Sequence, residues 1–144
     1  MSRTSLYFNF QNQTEQAFEF YRSIFGGEFI WGIHRMGEVP PQKWVPELDA
    51  TSKNLIMHID LEILGGLHLM GTDAPESMGF TVNMGNNVYI NLEPDTRTEA
   101  DRLFARLSEG GKVEMPLQDM FWGAYYGSFR DQFGVQWMVN VEGK

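Results

Sequence analysis

The chain has 144 residues, of which 42% are hydrophobic and 14% aromatic, enough for one compact domain or two small units that share a core. Its formal net charge of −8 argues against a basic surface that binds a nucleic-acid backbone. The absence of cysteine excludes disulfides, thiolate nucleophiles and Cys-type metal sites. No apolar run is long enough to cross a bilayer and no signal peptide is visible, so we expect a soluble cytoplasmic protein without a membrane partner.

An internal repeat divides the chain into two similar halves. The segments 14–27 and 98–111 both begin with Thr-Glu, end with Gly-Gly and lie 84 residues apart. Each segment predicts a helix that stops at a glycine pair and leads into a strand. We therefore expect a single domain made of two modules, about 1–75 and 86–144, joined by a linker at about 76–85. Function is expected where the two modules meet.

Hydrophobic periodicity predicts the elements of the first module. Thr14 is the expected N-cap of a helix that ends at Phe25, and the proline-bearing segment 39–53 is expected to be a loop. Alternation predicts strands over residues 6–10, 29–36, 55–64 and 67–70, the last two joined by a tight turn at Gly65-Gly66.

The second module repeats this order. A helix over 98–109 has an apolar stripe of Leu103, Phe104 and Leu107. Strands are expected over residues 87–92, 112–115 and 135–141 and within the aromatic segment 121–129. The strand at 134–138 matches the one at 66–70 with an offset of 68 residues. Each module is therefore β-α-β-β-β. This predicts an α+β fold with two curved mixed sheets around a concave cleft and helices on the outer face.

The sheet faces opposite the helices combine polar, aromatic and methionine side chains. In the first module we expect Tyr7, Asn9, Ile56, His58, Asp60, Glu62, His68 and Met70 on this face. In the second module we expect Asn87, Tyr89, Asn91, Gln136, Met138 and Asn140. Such a composition is typical of a small-molecule site, and equally of the solvated face of an antiparallel sheet. The pattern alone leaves both interpretations open.

Four stretches resemble the vicinal oxygen chelate superfamily of glyoxalases, bleomycin resistance proteins and extradiol dioxygenases, and within it the PhnB-like branch. They are residues 17–27, 57–58, 69–73 and, most specifically, 116–137. The resemblance implies paired βαβββ modules, a cleft that binds a small molecule, and a homodimer. A non-catalytic protein that sequesters a flat aromatic drug is one function found among such relatives.

The resemblance also bears on cofactors. Metal enzymes of the superfamily take ligands from the first and last strands of each module, which here point to Ser5 or Tyr7, Tyr89, Met70 and Met138. A methionine thioether is a poor ligand for hard or borderline divalent ions. We therefore expect no metal at the usual positions and no other cofactor.

Three interpretations of particular residues stay open. His58 is expected to be a residue that transfers a proton near neutral pH, whereas His58, Glu62 and His68 together would suit an off-pattern divalent metal in a lyase or dioxygenase. Asp119, Trp122 and Tyr125 are expected either to contact the ligand or to belong to an aromatic core. Trp44 is expected to form a lid or a subunit contact, or else to anchor the loop in which it lies. The expected ligand-binding set is Tyr7, Asn9, His68, Tyr89, Asn91, Asp119, Trp122 and Tyr125.

Overall fold

The structure is a computed structural model that describes residues 2–40 and 48–142. The chain divides into two compact units, Met1–Asn83 and Met84–Lys144. Each unit contains one four-stranded sheet and one main helix. Among the described residues, no helix combines the length and hydropathy required to cross a membrane.

In the first unit, helix α1 covers one face of a mixed sheet. The strands follow the order β1-β4-β3-β2, in which β1 runs parallel to β4 and the other neighbours are antiparallel. The apolar side of α1, which includes Phe18, Tyr21 and Ile24, is buried. The elements are β1 Leu6–Phe10, α1 Thr14–Phe25, β2 His34–Arg35, α2 Ala50–Lys53, β3 Ile56–Glu62 and β4 His68–Asp73.

The second unit has the same topology, with strand order β5-β8-β7-β6 and a parallel β5–β8 pair. Its core lies between helix and sheet, where Leu103, Phe104 and Leu107 are buried with Phe129 and Trp137. The predicted apolar stripe is thus confirmed. The elements are β5 Ile90–Leu92, α3 Arg97–Leu107, β6 Lys112–Asp119, β7 Tyr125–Arg130 and β8 Gln136–Val141.

Strand pairing confirms the repeat and the α+β class. Leu6 pairs with Leu69 in the first unit, and Ile90 pairs with Trp137 in the second. These pairs reproduce the offsets of 84 and 68 residues read from the sequence. One position further along each strand, Met70 and Met138 occupy equivalent places.

The start of α1 differs from the prediction. Gln13, not Thr14, is the N-cap, and its side chain makes no capping hydrogen bond. Thr14 is the first helical residue and is fully buried. Its N–H and hydroxyl both donate to the Asp73 carboxylate, at 3.0 and 2.7 Å. A distant carboxylate therefore replaces the local cap.

The prediction of a strand over residues 29–36 is wrong except at His34–Arg35, which form β2. Trp31 and Gly32 have φ values of 62° and 76°, which break an extended conformation. Within the segment predicted as a loop, residues 50–53 form helix α2, capped by the side chain of Asp49.

Near the start of β3, the predicted faces are exchanged. Ile56 is fully buried, whereas Met57 is 39% exposed. Against β2, His34 pairs with His58 but Arg35 pairs with Ile56, so Met57 is an extra residue. Such a bulge reverses the alternation on one side of it.

Candidate functional site

The sheet face opposite α1, here called the open face of the first unit, is identified by Gly71. A Cβ at Gly71 would lie 2.8 Å from the ring of Phe18 on α1, so this position faces the helix. Its neighbours Met70 and Thr72 therefore face the opposite way. Through the strand pairing they share that face with Tyr7 and Asn9, as the sequence predicted.

Tyr7 and His58 form a pair on the open face. The Tyr7 hydroxyl oxygen lies 3.2 Å from Nδ1 of His58, and the rings stack with centroids 5.8 Å apart. Partial burial raises the pKa of Tyr7, so its hydroxyl stays protonated and available as a donor at neutral pH. Among the described residues, Nε2 of His58 has no hydrogen-bond partner. The pair can therefore exchange a proton with a molecule that reaches Nε2.

A second polar group on this face is centred on His68. Its Nδ1 lies 2.8 Å from Oδ1 of Asp60, a carboxylate that is only 5% exposed. Its Nε2 lies 3.4 Å from Nη1 of Arg3 and 3.9 Å from Oε1 of Glu62. Arg3 also contacts Asp60, at 3.7 Å. Neither Arg3 nor the buried Asp60–His68 contact could be predicted from alternation, which places residues on a face but does not identify their partners.

The structure does not bring His58, Glu62 and His68 together as a metal site. His58 contacts Tyr7, whereas His68 contacts Asp60 and Arg3. Within residues 2–40 and 48–142, no group of three or more His, Asp or Glu side chains has the geometry to hold a metal ion.

A pocket lies at one end of the open face, and its lining includes Met57, which directly precedes His58 in the sequence. Its volume is about 240 Å³. Asn9 and Thr72, which face each other across β1 and β4, contribute its polar side chains. The other lining residues are mainly apolar: Met36, Val39, Met57, Ala74, Met78 and Phe80, with Asp73. The bulge in β3 directs Met57 to this pocket, which explains why alternation alone did not identify it.

In the second unit, Asn91 and Met138 pair on the face opposite α3. The Tyr89 hydroxyl donates to Glu114 at 2.7 Å, and this bond raises the pKa of Tyr89. Tyr89 and Asn91 thus occupy the expected face of their own sheet. They are not part of the pocket in the first unit.

Asp119 and Tyr125 lie on the helix side of the second sheet, where both contact α3, and their expected contact with a ligand stays a prediction. Within the sheet, Tyr125 lies opposite Asp119 of β6 and Val141 of β8. Its hydroxyl donates a hydrogen bond to Asp101 of α3, and this bond raises the pKa of Tyr125. The Asp119 carboxylate forms a salt bridge with Arg97 of α3, which lowers the pKa of Asp119. These contacts connect helix α3 to strands β6 and β7.

Two of the tryptophans singled out by the sequence have different outcomes. Trp122 lies in the turn between β6 and β7, is 58% exposed and contacts Phe121 edge to face. Trp44 lies outside the described residues, so its expected role stays a prediction.

Comparison with known proteins decides the family. Residues 9–139 match the model of the Glyoxalase/Bleomycin resistance protein/Dioxygenase superfamily. The chain belongs to this superfamily. It is 29% identical to Protein YjdN from Escherichia coli K12, with 95% of this chain and 93% of YjdN covered.

Solved structures agree with this membership. The structure of protein PA1353 from Pseudomonas aeruginosa is similar to this chain, with 34% sequence identity and a TM-score of 0.81. The match covers 100% of both chains. The PhnB protein from Bacillus cereus has a TM-score of 0.73 at 24% identity, with 97% of this chain and 99% of that chain covered, which shows a shared fold. The homodimer and the cytoplasmic location stay predictions.

The donor set at the superfamily's usual metal positions does not fit a hard or borderline ion. Met70 and Met138 offer thioethers at the last strands. The Ser5 hydroxyl donates to the sulfur of Met70 at 3.4 Å, and the Tyr89 hydroxyl is bound to Glu114. The side chains of Ser5, Met70 and Tyr89 thus form hydrogen bonds within their own units.

Proposed function

We propose that this chain is a PhnB-like superfamily member that binds a small, largely apolar molecule in the pocket of the first unit. The cavity of about 240 Å³ supports the proposal most directly. It combines methionine and aromatic side chains with the polar side chains of Asn9, Thr72 and Asp73, a composition typical of sites for small organic molecules. Methionines suit such a site because their thioethers adapt to ligand shape and pack against aromatic rings.

The position of the pocket supports a role for Tyr7 and His58. Met57 lines the cavity and directly precedes His58 in β3, while Asn9 lies two residues beyond Tyr7 in β1. We infer that the apolar part of the ligand packs against Met57 and Phe80. A polar substituent then bonds Asn9 or Thr72. Nε2 of His58 gives or accepts a proton at the edge of the bound molecule.

We propose that this activity does not use a metal at the superfamily's usual positions. The chemistry of the donors supports this view, because neither Met70 nor Met138 supplies a nitrogen or a carboxylate. Proton exchange by His58 changes only the charge of its own imidazole and of the ligand, and it requires no metal ion.

Isothermal titration calorimetry with indole, a neutral ring with one N–H donor, tests the proposal. Met57→Trp fills the cavity and is expected to weaken indole binding about tenfold or more, or about 1.4 kcal/mol. Met115→Trp is the matched control, because Met115 is 36% exposed, compared with 39% for Met57, and does not line the pocket. Equal affinities for the wild type and both variants, or no binding of indole, would contradict the proposal.

A further inference from the structure

The Asp60–His68 pair has the geometry that fixes the tautomer of an imidazole. An ionised carboxylate only accepts hydrogen bonds, so the 2.8 Å contact with Oδ1 of Asp60 places the proton on Nδ1 of His68. The lone pair of His68 then lies on Nε2. Asp60 is 5% exposed and His68 13%, so water competes little for this bond.

Charged groups surround Nε2 in a way that suits proton transfer. Nη1 of Arg3 lies 3.4 Å from Nε2 and donates a hydrogen bond to its lone pair, so a ligand hydroxyl takes the place of Arg3 there. Oε1 of Glu62 lies 3.9 Å from Nε2. After Nε2 accepts a proton, Asp60 and Glu62 stabilise the imidazolium. Arg3, whose side chain is 53% exposed, remains able to bind an oxygen anion.

The second unit indicates that the fold does not require this pair. Asp60 is paired with Met70 across the strands, and the equivalent Ser128 is paired with Met138. At the place of His68, the second unit has Gln136, which is buried and donates to the carbonyl of Val88. A neutral hydroxyl and an amide therefore suffice at these places. The second unit thus adopts the same topology without an acid–base pair at these places.

We propose that His68 is a catalytic base that accepts a proton from a neutral ligand with an acidic hydroxyl, such as a phenol or an enol. The O–H bond of the ligand breaks, an N–H bond forms at Nε2, and the resulting oxygen anion pairs with Arg3. Asp60 is a positioning residue that holds Nε2 towards the ligand. A neutral ligand is favoured because Asp60 and Glu62 outnumber Arg3 around the site. His68 lies on the opposite side of Met70 from the pocket residue Thr72, so the inference does not depend on the proposed pocket.

The probe p-nitrophenol tests this inference, because its phenolate absorbs visible light and its phenol does not. Below the pKa of the free probe, the wild-type protein is expected to increase the phenolate absorbance. His68→Gln, which copies Gln136, is expected to abolish the increase, and Arg3→Gln to reduce it. His34→Gln is the control, since His34 lies 3.8 Å from Glu38 on the surface and should leave the signal unchanged.

A measurement of histidine tautomers separates positioning from folding. Long-range ¹H–¹⁵N NMR is expected to identify His68 as the Nδ1–H tautomer in the wild type. Asp60→Ser, which copies Ser128, is expected to yield a mixture of tautomers in a folded protein and to reduce the phenolate signal. No phenolate increase in the wild type, or an increase that survives in His68→Gln, would overturn the inference. An Nε2–H tautomer in the wild type would also overturn it.

Discussion

The carboxylate of Asp73 at the end of β4 holds the first residue of α1, Thr14, by two hydrogen bonds, although 59 residues separate them. The same carboxylate accepts the N–H of Ile56 at 2.8 Å. Asp73 is 4% exposed and Thr14 is fully buried. The buried Asp73 side chain thus connects α1 to strands β3 and β4 of the first unit, and β3 is the strand that carries His58.

Asp73→Asn is expected to destabilise the protein by about 1–3 kcal/mol, since an amide has one acceptor oxygen and presents N–H groups to buried donors. Urea unfolding followed by circular dichroism measures the change. Glu76→Gln also replaces an acid by its amide, on the exposed surface of the same unit, and should change stability by no more than about 0.5 kcal/mol. Equal stabilities of the two variants would contradict the role of Asp73.

These contacts illustrate what the sequence could and could not predict. The repeat predicted that both modules have the same order of helix and strands, and the two sheets indeed share one topology. Alternation correctly placed Tyr7 and Asn9. It failed for Met57, since a bulge depends on pairing with β2. It could not identify the partner of Tyr125, because Asp101 is 24 residues away. Side-chain partners distant in sequence carry no local signal.

Asp131→Asn is expected to destabilise the second unit by about 1–3 kcal/mol. Asp131 accepts the N–H groups of Phe133 and Val135 through one oxygen and the indole N–H of Trp137 through the other. An asparagine amide has a single acceptor oxygen, so it cannot accept all three of these hydrogen bonds as the two carboxylate oxygens do. Urea unfolding and the indole N–H resonance of Trp137 measure the effect, with the exposed Asp95→Asn as control. An unchanged indole resonance would contradict this prediction.

Glu15→Gln is expected to have a small, pH-dependent effect. Two 2.9 Å hydrogen bonds from Arg35 lower the pKa of Glu15, so the pair stabilises the fold above the ordinary glutamate pKa. This stabilisation is lost as the pH falls through the lowered value. Because Glu15 is 41% exposed, the variant should lose no more than about 1 kcal/mol at neutral pH and match the wild type in acid. A difference that persists or grows in acid would refute this.

Metal removal is expected to have no effect on the protein. Dialysis against EDTA should leave both the unfolding midpoint and indole affinity unchanged, because the usual positions hold Met70 and Met138. Elemental analysis of protein purified without added metal provides the second measurement. A stoichiometric divalent ion that disappears in His58→Ala would instead support the off-pattern metal site.

Methionine methyl NMR tests the proposed pocket most directly. With ¹³C-labelled methionine methyl groups, titration with indole is expected to shift the signals of Met36, Met57 and Met78, which line the pocket. The signal of Met138, in the second unit, should remain in place. Shifts absent from all three pocket methionines at indole concentrations that saturate the calorimetric signal would contradict binding in the first unit.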